Sequence, residues 1–399
     1  MKSSILLITP LYPIPYPENN ATDVCHSFAK EWVKLGYNVR VIHFQPVHCY
    51  AWHLLIRLFG KQITNMVGGG NFYAKRLKHS EEYIMDDVPV LRIPVYNFIP
   101  HGRFPGKSVE RFVKEVCSFL KIKGFVPDVI TGHMMPLEVL PLLKERLNVR
   151  ICMVEHGIPK KLKERYPDYR ELISSYDLYG FRSEDIQKRF RTEIYPVPDT
   201  FVCYSGVPSL YLKNRKERTF DSSLRSFLFV GDFIHRKYPA AIIPALKKAY
   251  PDGNFSISFI GDGPELEEIK RSARGVEDRI RFVGRIPRER IMDYYDSADC
   301  MIMISEKEAF GLVYLESMAR GCITIASLRE GMDGVIINGE NGFLCEAGNS
   351  EELADVIRRI NLMSPEQRRK VSVAAARTAE SLSDMAVART YADTLLYNV

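Results

Sequence analysis

The sequence predicts an α/β protein built from two doubly wound domains. Two successive sets of short apolar runs, each alternating with helical patterns, carry the first part of that expectation. Length carries the second, because single hydrophobic cores stop growing near about 250–300 residues and this chain has 399. The third observation is that glycine, histidine and acidic residues follow directly after the apolar runs. That is the carboxyl edge of a parallel sheet, where folds of this kind bind ligands.

In chain order, residues 4–9 read as a buried strand and residues 10–17 as a loop with four prolines. Residues 21–35 fit an amphipathic helix ended by Gly36, and 39–44 fit a second strand, so the unit predicts a parallel pair. From 45 to 106 the pattern becomes irregular. Residues 48–59 (HCYAWHLLIRLF) are aromatic and aliphatic, with Arg57, Lys61, Lys75, Arg76 and Lys78 nearby. They fit either a helix packed on its own domain or an amphipathic element touching a membrane or a lipid-linked substrate. Gly68, Gly69 and Gly70 have no strand–helix frame and read as a loop rather than a phosphate cradle. Regular units resume with a helix over 109–121, a strand over 128–130, a helix over 137–146 and a strand over 151–154. His133 and His156 fall just past two of these strands. A histidine there can donate a hydrogen bond, act as a base near neutral pH, or simply satisfy its own surroundings.

Residues 195–220 read as the connection between domains. The second set then brings strands over 226–230, 256–260, 280–283 and 300–304, with helices over 240–250, 265–273 and 288–297 between them. A helix follows Gly311, and a further strand covers 322–326. The tail from 364 is helical in pattern, and Met385, Ala386, Ala388, Tyr391, Ala392 and Leu395 give its last segment an apolar face. The expected domains are therefore 1–208 and 209–380, with 381–399 as a C-terminal helix returning to the first.

Composition bounds the function. Hydrophobic residues make up 46% and charged residues 26%, the values of an ordinary globular protein. A net charge of +6 is too weak and dispersed to argue for nucleic acid, and leaves anionic substrates or anionic lipid open as partners. The eight cysteines show no CxxC and no pairing with histidine at metal spacing, so they read as small buried residues in a reducing compartment. No apolar run reaches the roughly 18 residues of a membrane span, and the N-terminus enters a strand pattern without a basic leader. The expected location is cytoplasmic, with peripheral contact at the inner face of a membrane left open.

The chemistry concentrates in the second half. Gly231 (FVGDFIHRKYP), Gly261 and Gly263 (FIGDGPELEEIK) and Gly284 (RFVGRIPRER) each follow a strand, where glycine lets backbone approach a ligand closely. Arg236 and Lys237 place cations after the first of these turns, either for a diphosphate or as solvated surface. Glu308 and Glu316 flank Phe310-Gly311 and the start of a helix, whose free N–H groups and dipole suit phosphate. A carboxylate beside an anion site needs hydroxyls or cations to bind, so the expected ligand carries both phosphate and hydroxyl groups.

Glu308-Ala-Phe-Gly-Leu-Val-Tyr-Leu-Glu316 resembles the signature of the family 4 retaining glycosyltransferases, which have the two-Rossmann GT-B fold with the domains facing across a cleft. FVGDFIHRK, GDGPELEEIK, ADCMIMIS and GVIINGENGFL are similar to further turns of that family. ILLITPLYP, KLGYNVRVIH, ITGH, VEHG and RSEDIQKRF are similar to its first half, and only about residues 45–105 go unmatched. The resemblance implies that Glu316 holds ribose hydroxyls and that Glu308 faces the donor sugar. Lys237, assisted by Arg236, would stabilise the departing diphosphate, and His156 would lie near donor sugar and acceptor. Gly231, Gly261, Gly263, Gly284, Arg285 and Ile286 would line the donor, and the backbone of Phe310, Gly311, Leu312 and Val313 would cap its hydroxyls and phosphate.

The implied reaction is transfer of a sugar from a UDP- or GDP-sugar to a hydroxyl of a glycan or lipid-linked acceptor, in polysaccharide or glycolipid assembly. No cofactor or metal is expected, since the chain has no DxD triplet. Two departures are visible. Asp232 stands where the family has arginine, and Glu18-Asn19 replaces a glycine pair, making Glu18 and Asn19, with His133, the candidate acceptor contacts. The competing expectations are a GT-B epimerase or phosphorylase, and a catalytically weak nucleotide-sugar-binding protein.

Overall fold

In the computed structural model the described residues are 3–15, 23–48, 77–98, 102–159 and 161–397. The chain divides into two compact units. One comprises Met1–Arg182, Ile186–Cys203 and Val387–Val399, and the other Ser183–Asp185 and Tyr204–Ala386.

The first unit is an eight-stranded sheet of β1 (Ser4–Thr9), β2 (Asn38–His48), β3 (Glu81–Met85), β4 (Val88–Asn97), β5 (Val129–His133), β6 (Arg150–Glu155), β7 (Leu178–Phe181) and β8 (Thr200–Val202). Their spatial order is β3-β4-β2-β1-β5-β6-β7-β8, parallel except for the β3–β4 hairpin. The central strands are buried apolar runs, as strands covered on both faces must be. The helix Val24–Leu35 stops where Gly36 turns left-handed (φ 85°), a conformation that costs glycine nothing.

Residues 45–106 are not wholly irregular, contrary to the sequence expectation. β2 runs on through Pro46 to His48, and β4 pairs beside it from Val41↔Val90 to His48↔Asn97. The hairpin turns on Asp86 and Asp87, both with positive φ (46° and 62°), which aspartate tolerates. Prolines 46, 89 and 94 inside the strands had disguised them. β7 and β8 also went unseen, being too short to display a period. The aromatic stretch from residue 49, and Glu18 and Asn19, lie outside the described residues.

The second unit has β9 (Ser226–Val230), β10 (Ser256–Ile260), β11 (Ile280–Gly284), β12 (Cys300–Ile302), β13 (Ile323–Ser327) and β14 (Phe343–Cys345). All are parallel, in the order β11-β10-β9-β12-β13-β14. The reversal between β9 and β12 makes a switch point there, and the ligand-facing loops of such a sheet follow its strands. The change of unit falls at Cys203/Tyr204 rather than at 208/209, for a visible reason. Val207 donates its N–H to Leu382 and accepts from Asp384, which ties residues 204–208 to the tail of the second unit.

The last helix, Asp384–Tyr397, contributes its residues from Val387 onward to the first unit. Trp32 Nε1 donates to the Ala388 carbonyl at 2.8 Å, and Arg150 donates to the Leu395 carbonyl at 3.2 Å. Among the described residues no helix is long and apolar enough to cross a membrane.

Candidate active site

In the second unit the three glycine turns are laced edge to edge. Gly231 donates its N–H to Ile260 and Gly261 donates to Gly284, at 2.9 and 3.0 Å. A Cβ on Gly261 would stand 1.9 Å from the Gly231 carbonyl oxygen, so only glycine lets these turns close. The short turn His235–Lys237 follows, and the Lys237 ammonium lies over Gly231, 2.8 Å from where a Cβ would sit. Burial pulls the Lys237 pKa below its ordinary value, while the Glu308 carboxylate acts the other way.

Arg236 and Glu308 meet directly, Nη1 to Oε2 at 3.1 Å. The acidic loop is held by two further bonds. Glu306 donates its N–H to the Arg236 carbonyl (2.7 Å) and Glu308 donates its N–H to Glu330 Oε2 (2.9 Å). Gly311, at φ 84°, then caps the helix Leu312–Ala319, whose first N–H groups lack intrahelical partners. Phe310 is buried and packs against Tyr204 with the rings tilted and their centroids 5.6 Å apart. The side chains of Leu312, Val313 and Ile286 are partly buried against the core.

Glu316 is 3% exposed. Arg288 grips its Oε1 (Nε at 2.9 Å) and Tyr295 donates to Oε2 at 3.1 Å. Burial opposes the charge on Arg288, yet the Glu316 carboxylate holds its pKa above the ordinary range. Oε2 keeps room for one more donor, the only capacity this carboxylate retains for a hydroxyl of a ligand. Asp232 is paired with Arg285, Oδ1 to Nη2 at 2.7 Å, so the acid at this turn is neutralised within the unit.

In the first unit His133 and His156 come together, Nδ1 to Nε2 at 2.9 Å. His133, expected at the acceptor, is fully buried, and its Nε2 bonds the Tyr391 hydroxyl at 3.1 Å. Both ring nitrogens are occupied by protein, which corrects that assignment: His133 supports His156 and offers nothing to a substrate. His156 is half-buried. Burial and the nearby Arg182 pull both histidines well below their ordinary pKa, so both are neutral at pH 7. Glu155, beside them, is pushed up to about 7 by burial, against the hydrogen bond it accepts from Tyr179.

Cys25, His133 and His156 bring potential ligand atoms within 4.8 Å of one another. Burial pushes the Cys25 thiol up to about 12, so a cation held there would have to displace the thiol proton.

Arg288, Tyr295 and Glu330 escaped the sequence reading as site residues, and Tyr391 was read only as part of an apolar helix face. Arg288 stands directly after Pro287 at a helix start, but nothing local says that its side chain reaches Glu316.

Residues 212–378 match the family model described as glycosyl transferases group 1. N-acetyl-alpha-D-glucosaminyl L-malate synthase of Bacillus anthracis is 25% identical over 296 residues, covering 70% of this chain and 74% of the relative. D-inositol 3-phosphate glycosyltransferase of Corynebacterium urealyticum is 29% identical over 309 residues, covering 67% and 72%. The crystal structure of Anabaena HepE in complex with UDP superposes with a TM-score of 0.67 at 17% identity, covering 99% of each chain. The chain has the GT-B fold, and its likenesses point to a glycosyltransferase of the family 4 type. The matched stretch coincides with the unit that carries the glycine turns and both glutamates.

Proposed function

We propose that this glycosyltransferase moves a sugar from a UDP- or GDP-sugar to a hydroxyl of a glycan or lipid-linked acceptor, with retention at the anomeric carbon. The carrying observation is the group formed by Lys237 over the Gly231 turn and the Arg236–Glu308 ion pair beside the start of the helix Leu312–Ala319. Charge builds on the diphosphate as the glycosidic bond breaks. Two fixed cations and a helix N-terminus lower that barrier because they need no reorganisation. Glu308 positions Arg236 and faces the sugar hydroxyls, and the free capacity of Glu316 Oε2 suits a ribose hydroxyl.

In the proposed reaction the acceptor oxygen attacks from the leaving-group side. Its proton passes to an oxygen of the departing diphosphate as the new glycosidic bond forms. No protein carboxylate acts as nucleophile, and no metal is required, since Lys237 and Arg236 supply the positive charge. The UDP in the HepE crystal and the hydroxyl-bearing compounds named for the two relatives support a nucleotide donor and a hydroxyl acceptor. Assembly of a polysaccharide or glycolipid at the inner face of a membrane is the setting we propose. The Asp232–Arg285 pair supports an active enzyme over a weak binding protein, since it sets a cation beside the acid at that turn.

The test is a thermal-shift screen against UDP, GDP and their common sugars, followed by a transfer assay with the stabilising donor in excess chelator. Glu308→Ala and Lys237→Ala are each expected to slow transfer at least tenfold, about 1.4 kcal/mol of barrier. If neither variant does so, or if transfer stops without a divalent cation, the proposal fails.

A further inference from the structure

The hydrogen bonds around His156 form a chain whose direction can be deduced. Thr131 and Tyr391 share a short hydroxyl–hydroxyl bond, Tyr391 meets His133 Nε2 at 3.1 Å, and His133 Nδ1 meets His156 Nε2 at 2.9 Å. Tyr391 comes from the last helix, more than 200 positions away in sequence, and its ring is clamped among Phe28, Trp32 and Phe201.

A neutral imidazole carries one donor and one acceptor nitrogen. Two such rings in series therefore allow only two arrangements of hydrogens. In one, Tyr391 gives its hydrogen to His133 Nε2, His133 gives the Nδ1 hydrogen to His156 Nε2, and His156 carries its own hydrogen on Nδ1. In the other, every donor and acceptor is exchanged, and Tyr391 must give its hydrogen to Thr131. A phenol is the most acidic hydroxyl in this set and a bare imidazole nitrogen is the most basic acceptor, so the first arrangement places the strongest donor on the strongest acceptor. The Thr131 hydroxyl then donates to the Tyr391 oxygen, and each group in the chain is satisfied.

We propose that Tyr391 is a positioning residue that fixes the tautomers of His133 and His156, so that His156 presents an Nδ1–H donor to the bound sugar substrate and no basic nitrogen. The part concerning a sugar rests on the function proposed above. His156 then holds a hydroxyl or phosphate oxygen in place, and the acceptor's proton must go elsewhere.

Long-range nitrogen–proton NMR correlations on the full-length chain, labelled with nitrogen-15 at histidine and without any sugar, read both tautomers directly. They are recorded in chelator, so that no ion bridges Cys25 and the rings. The wild type is expected to show His156 protonated at Nδ1 and bare at Nε2. Tyr391→Phe keeps the aromatic packing but removes the donor, and should turn this single form into a mixture. Thr131→Val should leave the tautomers as in the wild type, because Tyr391 can still donate to His133. His156 protonated at Nε2 in the wild type overturns the proposal. So does a flip of the rings in Thr131→Val, or a Tyr391→Phe spectrum identical to the wild type. If Tyr391→Phe does not fold, the other two spectra decide alone. The free-enzyme spectra stand whether or not sugar transfer is found, so failure of the relay and failure of the proposed function are told apart.

Discussion

In the second unit three carboxylates near the glycine turns face a guanidinium: Glu308 with Arg236, Glu316 with Arg288, and Asp232 with Arg285. In the first unit the histidines past the strand ends hydrogen-bond to uncharged groups, as His156 meets His133 and His133 meets Tyr391. The difference suits two chemical tasks of the proposed reaction. Charge that develops on a leaving group calls for fixed cations, whereas placing a neutral hydroxyl calls for a directional donor without net charge. Of the three pairs, Arg288–Glu316 holds the most buried carboxylate, and a buried pair is costly to break singly.

The largest effect expected from that contrast concerns Arg288. Its replacement by methionine leaves Glu316 buried without a cation, which should cost about 3–5 kcal/mol. Adding Glu316→Gln should recover most of that loss, because the uncompensated charge is gone. Calorimetric melting of the single and double variants checks this. An Arg288→Met protein that melts with the wild type would erase the contrast on the second unit's side.

A slightly smaller effect is expected from Glu155. Its folded pKa, about 7, lies above its ordinary 4.5, so the folded protein keeps a proton that the unfolded chain has lost. The associated stability is complete below the unfolded value and is lost as pH rises through about 7, up to about 3 kcal/mol over the window. The buried histidines act in the opposite sense, costing stability as pH falls below 6.5. Glu155→Gln stays uncharged throughout, so its stability relative to wild type should grow as pH rises from acidic to neutral. Parallel stability–pH curves for the two proteins would show instead that Glu155 is well solvated.

The smallest expected effect is at Trp32. Replacement by phenylalanine removes the indole donor from the Ala388 carbonyl and should cost about 1–3 kcal/mol. Hydrogen exchange at residues 387–397 should rise with it. Unchanged protection there would mean that the last helix is held by other contacts.

The two units also differ in how far the sequence reveals them. Glu308, Phe310, Gly311 and Glu316 lie within one loop and one helical turn or two, so their spacing alone places them together, and strands β9 and β10 were read to the residue. Arg236 and Lys237 follow β9 closely, and their position at the sheet edge was legible for the same reason. The first unit's site draws on residues 131, 133, 156 and 391, which only the tertiary fold assembles. Spacing there left each histidine as a donor, a base or a structurally satisfied group, and the hydrogen bond from the last helix decides His133 for the last of these. Prolines inside β2 and β4 and the brevity of β7 and β8 hid strands for a related reason: their pairing, not their pattern, makes them strands.

The central claim is that the diphosphate is held by the charges of the second unit and not by the histidines of the first. Calorimetric titration of the wild type, Lys237→Ala and His156→Asn with UDP and GDP tests it most directly. At least one nucleotide should bind the wild type, Lys237→Ala should weaken that binding about tenfold or more, equivalent to 1.4 kcal/mol, and His156→Asn should stay within about twofold. Undiminished binding by Lys237→Ala, or an equal loss in His156→Asn, would contradict it.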